Sequence, residues 1–195
     1  RNKIESKFIK ENYFKTTLHY ENNKTYFFSP IKKKEISNIL SYQKNPLILS
    51  GGTDIGLWTT KKHKKISNFV YLNKIKELSK IIENKNDFKI YSAVTHDMAM
   101  NSLSSHYPAL QEIWRRFGSA QVRSSGTVCG NIANGSPIGD LAPAFLSLNA
   151  SIVLTSKNKK RKIKLDNFFI SYGIQNIKKE EWIECLIFLF LFLLF

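Results

Sequence analysis

Apolar residues in the first half of the chain come in short bursts separated by lysine- and asparagine-rich stretches, and the spacing inside each burst names its element. In IKKKEISNILSYQ, Ile31, Ile36, Ile39 and Leu40 fall near helical spacing behind Ser29-Pro30, so a short amphipathic helix is predicted there. PLILSGGTDIGL places an apolar strand, Leu47–Leu49, directly before Gly51-Gly52, with a second apolar stretch, Ile55–Trp58, behind it. NFVYLN (68–73) and FKIYSAV (88–94) read as strands, and the polar turn ENKND between them implies a strand–strand arrangement around IKELSKII.

Further on the period lengthens. Thr95 can cap a helix over HDMAMNSLSS, and Tyr107-Pro108 opens another, ALQEIWRRF, closed by Gly118. Leu110, Ile113, Trp114 and Phe117 share one face of that helix and are expected in the core. An apolar helix over LAPAFLSLNA leads to the strands SIVLTS and KIKLDNFF and to SYG. Helices and strands interleave through short loops, so the fold class expected is α+β or α/β, not a bundle or a sandwich.

Two segments break the pattern. SGGTD (50–54) and GTVCGNIANGSPIGD (126–140) are glycine-rich, and the second lacks any lysine or arginine in a chain with 30 such residues. Glycine gives no packing in return for its backbone entropy, so such runs mark a chain that turns sharply or lies close against something. Turns of this kind expose backbone N–H groups that bind anions, a pyrophosphate among them. The hydroxyls of Thr53, Ser125 and Thr127 and the amides of Asn131 and Asn134 add neutral donors, and Asp140 can accept from a ribose or ribityl hydroxyl. Neither turn has the P-loop spacing, and neither carries the G-x-G-x-x-G of the common dinucleotide fold.

Composition narrows the field. A formal net charge of +15 invites a nucleic-acid or anionic-membrane reading. The lysines are nevertheless scattered among Asn and Ser at expected surface turns, and no zinc-finger spacing, RNA-binding signature or basic heptad helix accompanies them. Neither a nucleic-acid nor a membrane partner is expected. Two distant cysteines are too few for a disulfide framework, a zinc site or an iron–sulfur site, so no metal site is expected. A reducing compartment follows as the default. The opening residues show no apolar signal core, and the expected localisation is cytoplasmic. The apolar run CLIFLFLFLLF at the end is about half a bilayer span and reads as a buried strand or a truncated tail.

The two glycine segments, taken with their flanks, carry a family resemblance. PLILSGGTDIGL together with RFGSAQVRSSGTVCGNIANGSPIGDLAPAFLSLNASIVL and KLDNFFISYG resembles the FAD-binding domain of the molybdenum hydroxylases, nearest to the small, flavin- and iron–sulfur-carrying subunit of bacterial xanthine dehydrogenases. The resemblance runs in order from about Tyr26 to Glu184. It implies two α+β lobes of the vanillyl-alcohol oxidase and molybdopterin dehydrogenase type, with FAD extended between them. The domain would occupy residues 26–185, as lobes of about 26–85 and 86–185, between a linker or disordered arm (1–25) and an apolar truncated tail (186–195).

By position, the resemblance implies that Ile48, Leu49, Ser50, Gly51, Gly52, Thr53, Asp54 and Ile55 wrap the FAD diphosphate and that Phe117 packs beside the flavin or its chain. Thr127, Val128, Cys129, Gly130 and Asn131 would form a second phosphate-side loop, with Asp140 on a cofactor hydroxyl. It further implies electron transfer from iron–sulfur clusters through FAD to NAD+, with the clusters and the molybdenum cofactor on partner domains or subunits. In that reading the flavin does the chemistry, no catalytic side chain is needed, and His19, His63, His96 and His106 are surface or capping residues. Departures from the family pattern are the missing cysteine-rich domain, the missing C-terminal domain, and Cys129 in place of a glycine. Should that position need positive φ, Cys129 would be strained by about 1–2 kcal/mol. The alternatives are a basic nucleic-acid- or membrane-surface-binding domain, and an inactive relic of the flavin subunit.

Overall fold

The computed structural model describes residues 15–23, 25–157 and 159–190. Two sheets divide these residues. The first has four strands: β1 (Leu18–Asn22) and β2 (Thr25–Ser29) form an antiparallel hairpin, and β3 (Leu47–Leu49) and β4 (Asn68–Tyr71) join in parallel, giving the order β1-β2-β4-β3. Helix α1 (Lys33–Tyr42) crosses from β2 to β3 and α2 (Thr53–Thr60) from β3 to β4. Ile36, Ile39 and Leu40 on α1 pack with Phe28, Val70, Leu72, Ile75 and Leu78 as one core, which is the periodicity expected for this helix.

The second sheet is antiparallel throughout, in the order β5-β6-β11-β7-β8. It is built from the hairpin β5 (Ile81–Glu83) with β6 (Asp87–Tyr91), the hairpin β7 (Ser151–Thr155) with β8 (Lys160–Lys164), and the central strand β11 (Trp182–Leu189). Five helices connect β6 to β7: α3 (His96–His106), α4 (Leu110–Arg116), α5 (Ala120–Ser125), α6 (Val128–Asn134) and α7 (Leu141–Ser147). A small hairpin, β9 (Phe169–Ser171) and β10 (Ile174–Gln175), stands apart from both sheets.

Several boundaries differ from those expected. Residues 18–22, within the stretch read as a linker, form the edge strand β1, because pairing with β2 satisfies backbone groups that an amphipathic pattern would not reveal. The expected arm at 1–14 and the end of the apolar run, 191–195, lie outside the described residues. Strand membership changes at residue 81, since β5 pairs with β6 rather than with the first sheet. Leu186–Leu189, placed with the tail, belong to β11, where Leu186 and Phe188 are fully buried. A continuous apolar run is what a strand covered on both faces requires.

β11 also ties the lobes together. Trp182, at its start, leaves its own sheet's core and enters the core of the first lobe, where its Nε1–H donates to Ser37 Oγ on α1 at 3.2 Å. Two residues on, Glu184 has a side chain only 5% exposed and pairs with Lys33 Nζ of α1 at 2.8 Å and with Lys160 Nζ of β8 at 2.7 Å. Thr155 donates a third bond to it at 2.7 Å. Burial alone would raise the Glu184 carboxyl, but the bonds from Lys160, Lys33 and Thr155 outweigh it and hold the group at about 2.

Because the folded value lies below the ordinary 4.5, the stabilisation from Glu184 is complete above that pH and disappears as the pH falls through about 4.5 to 2. A depression from 4.5 to about 2 corresponds to about 3 kcal/mol. Urea titrations of the wild type and Glu184→Gln at pH 7 and pH 3 should therefore show a large stability difference that shrinks at the acid end; a difference independent of pH would refute the assigned ion pairs.

Candidate functional site

Both glycine segments arrive at the seam between the lobes. In the first, β3 ends at Leu49, Gly52 turns left-handed at φ 78°, and α2 begins at Thr53 with no side chain capping its first turn. The leading N–H groups of such a helix have no intrahelical acceptor and carry the positive end of the helix dipole. The second segment is not the open loop expected from its glycines. Gly126 is extended (φ −63°, ψ 142°), Thr127 accepts a hydrogen bond from Gly130 N–H at 3.2 Å as an N-cap, and residues 128–134 form α6. Tertiary burial overrides glycine's poor helix propensity here, since Val128, Cys129 and Ile132 point into the second lobe's core.

The lobes touch through backbone. A Cβ built on Gly51 would lie 2.4 Å from Ser125 O, 2.7 Å from Gly126 Cα and 2.9 Å from Thr127 N, so only a bare residue can occupy position 51. Thr127 in turn bridges Thr95, and Val128 N–H donates to Val94 O at 3.1 Å, which fastens the second turn to the end of β6.

Around this contact opens a cleft of about 420 Å³, within the range of small-molecule sites. Ile48, Ser50, Gly51, Gly52, Thr53, Asp54, Ile55, Phe117, Thr127, Cys129, Gly130 and Asn131 line it, so twelve positions singled out in the sequence converge on one space. Three do not. Leu49 faces an adjoining hollow of about 510 Å³ that shares the Ser50–Gly52 turn and includes Tyr71, Thr95 and Ser125. Val128 is fully buried in the core, and Asp140 is exposed just ahead of α7. Asn134 lines the cleft as expected of a donor, whereas Ser125 faces the hollow.

Among the described residues no lysine or arginine lines the cleft, despite the charge of the chain. Its walls are apolar, with Leu57 and Trp58 on α2 and Ile177 and Ile183 opposite. None of the α2 side chains is buried, although Ile55, Leu57 and Trp58 are apolar. Apolar side chains that a helix keeps on an open cleft form a surface suited to an apolar ligand.

His96 was expected at the surface or as a cap; the structure buries it to 3% exposure on the cleft wall, with its ring centroid 4.6 Å from that of Phe117 and 5.9 Å from that of Trp114. The sequence did carry a signal: His96, Ala99 and Leu103 fall on one helical face, and all three are buried. Burial depresses the imidazole to about 4 against a small opposing pull from Asp97, so the ring is neutral at pH 7. Cys129 lies inside α6 without positive φ, which removes the strain anticipated there. Its thiol donates to Ile90 O at 3.6 Å, and burial pushes its pKa well above the ordinary range, so it is an inert packing group.

Two α+β lobes meet at paired glycine turns, around a cleft that offers uncapped helix N–H groups and aromatic walls and, among the described residues, no lysine or arginine, an arrangement suited to an extended nucleotide cofactor. Residues 20–188 match the family described as the FAD binding domain in molybdopterin dehydrogenase, and the chain belongs to that family. It is 32% identical over 153 residues to the nicotinate dehydrogenase FAD-subunit of Eubacterium barkeri, covering 76% of this chain and 52% of that protein. It is 28% identical over 169 residues to a xanthine dehydrogenase of Blastobotrys adeninivorans, covering 80% of this chain and 12% of that protein. Carbon monoxide dehydrogenase from Hydrogenophaga pseudoflava shares the fold at a TM-score of 0.79 and 21% identity, over 87% of this chain and 60% of that one. The chain thus spans about half the length of the nicotinate dehydrogenase subunit. Among the described residues no helix is long and apolar enough to cross a membrane, and no group of three His, Cys, Asp or Glu side chains could hold a metal ion.

The glycines give a graded test. Gly51→Ala should lower stability by about 1–3 kcal/mol through backbone overlap, and Gly52→Ala by about 1–2 kcal/mol through its left-handed φ. Gly56, inside α2 with nothing within 4 Å of its Cβ position, is the control. Gly56→Ala should stabilise by up to about 1 kcal/mol. Thermal or urea melts that rank the three alike would contradict the lobe contact. For His96, the folded pKa lies below the ordinary 6.5, so the fold carries no protonation penalty from this ring above that pH and loses stability as the pH falls from 6.5 toward 4. Between those values the wild type should lose about 3 kcal/mol more stability than His96→Leu.

Proposed function

We propose that this chain is the FAD-binding module of a xanthine-dehydrogenase-like molybdenum hydroxylase. The observation that carries the reading is the convergence of the two bare turns: Gly51 rests on Gly126, and the uncapped first turn of α2 opens beside them. A diphosphate fits this donor set. N–H groups at a helix start bind anions without a side-chain cation, and Gly52 leaves no Cβ where the phosphates pass. Thr53, Thr127, Asn131 and Asn134 supply further neutral donors. Asp54, an acceptor only, suits a sugar hydroxyl rather than a phosphate.

Flat apolar surface is offered on both flanks of the turns, by Ile48, Trp58 and Phe117 in the cleft and by Phe69 and Tyr71 in the adjoining hollow. An extended ligand with an anionic middle and two aromatic ends matches that division. When bound, the flavin supplies the redox chemistry, accepting electrons and passing them on. The residues of this chain bind it, orient it and exclude water from it. We further infer that the electrons arrive from iron–sulfur clusters on a partner domain, that a molybdenum-cofactor subunit lies beyond those clusters, and that NAD+ is the acceptor. The xanthine and nicotinate dehydrogenases among the relatives support a heterocyclic substrate for the assembled enzyme.

FAD added to the folded chain should quench tryptophan fluorescence and raise the melting temperature, by an amount equal to about 2.7 kcal/mol at a hundredfold excess over Kd. Trp58→Phe should remove most of the quenching, since Trp58 lines the cleft while Trp114 and Trp182 are buried. A folded sample that neither retains nor responds to FAD would refute the proposal. Asp140→Ala separates two placements of the cofactor: weakened binding brings its hydroxyls to Asp140, and unchanged binding confines it to the cleft.

A further inference from the structure

Gly126 has an ordinary extended backbone, open to any residue as far as φ and ψ are concerned, so its need for glycine is spatial. A Cβ there would stand 2.9 Å from Val122 O, 3.0 Å from His96 Cδ2 and 3.2 Å from His96 Nε2. The imidazole therefore presents its Cδ2–Nε2 edge to the bare face of Gly126, next to the contact between Gly126 and Gly51. The backbone sets it there, because His96 N–H donates to Gly126 O at 3.0 Å and Thr95 caps the helix that carries it. On the far edge of the ring, Nδ1 is enclosed and has no hydrogen-bond partner among the described residues. A buried nitrogen without a partner destabilises a protein unless a ligand gives something back.

An unpartnered N–H is rarer in protein interiors than an under-used acceptor, which favours the tautomer with the proton on Nε2. That proton then lies beside Gly126, on a side chain that lines the cleft. Resting on the FAD reading above, we infer that His96 is a binding residue of this domain, donating an uncharged hydrogen bond from Nε2 to the diphosphate of the cofactor. Phe117 and Trp114 hold the ring in plane, and the pair Asp97–Arg123, at 3.1 Å, braces the start of α3 while Arg123 ties down the carbonyls of Phe117 and Gly118. Glycine at 126 serves both lobes: it admits Gly51 and leaves the imidazole edge uncovered.

A structural histidine and a ligand-binding one respond to replacement in opposite ways. His96→Leu removes a buried unpartnered polar group, so without FAD at pH 7 its melting temperature should equal or exceed that of the wild type. Its FAD affinity should nevertheless fall about ten- to a hundredfold, the range for a lost hydrogen bond to a charged group. His96→Gln, which keeps a donor, should recover part of that loss. ADP binding should weaken in parallel with FAD, and riboflavin binding, which involves no phosphate, should not change. If His96→Leu binds FAD as the wild type does, or if ADP is unaffected, the inference is overturned while the FAD reading stands. If the leucine and glutamine variants both melt lower and bind FAD weakly in proportion, the role is structural and the inference again fails. A wild-type chain that does not bind FAD overturns the underlying reading and this inference together.

Discussion

The lobes of this domain rest on one another through peptide backbone, at Gly51 against Gly126 and the amide of Thr127. Side-chain interfaces tolerate repacking; a contact at 2.4 Å from a hypothetical Cβ tolerates nothing larger than hydrogen. The cleft, the exposure of the α2 amide groups and the placement of His96 all follow from that closeness. Trp182 and Glu184, at the start of β11, reinforce it from the side by reaching from the second sheet to α1. One strand thereby serves two cores, and protein contacts alone hold the glycine turns together. Such preorganisation lowers the ordering cost of binding an extended, flexible molecule.

Charge is distributed in a way the total conceals. The chain carries +15, yet among the described residues the walls of the cleft proposed for a diphosphate include no lysine or arginine. Amides and hydroxyls give directional bonds at fixed positions, whereas a lysine is a mobile point charge. A site of neutral donors selects the shape and spacing of the phosphates more than their charge. The imidazole of His96, against Gly126, is held neutral by burial in keeping with that design. Part of the cationic surplus, Lys33 and Lys160, pairs instead with Glu184 between the lobes.

Much of the architecture was legible in the residues themselves. α1, β3, β4, β6, the Thr95-capped α3, α4 ending before Gly118, α7 and β7 sit where periodicity and caps place them, because each shows its amphipathic face or its punctuation locally. The α+β class and the two glycine turns were equally plain. What could not be read was what depends on partners distant in sequence. Residues 18–22 became a strand only because β2 was there to pair with. GTVCGNIANG looked like a loop, and most of it, residues 128–134, became α6 because the floor of the second lobe buries Val128, Cys129 and Ile132.

The sequence alone therefore determined the inventory: which segments are apolar on one face, where the backbone is bare, and which family pattern these follow. Tertiary structure decided how that inventory is combined. It set Gly51 against Gly126 across 74 intervening residues, moved Asp140 and Val128 out of the cleft, and drew His96 into it. The physical reason is that hydrophobic period and turn chemistry are properties of neighbours along the chain, while burial, backbone contact and a depressed pKa arise only where remote segments exclude water from one another.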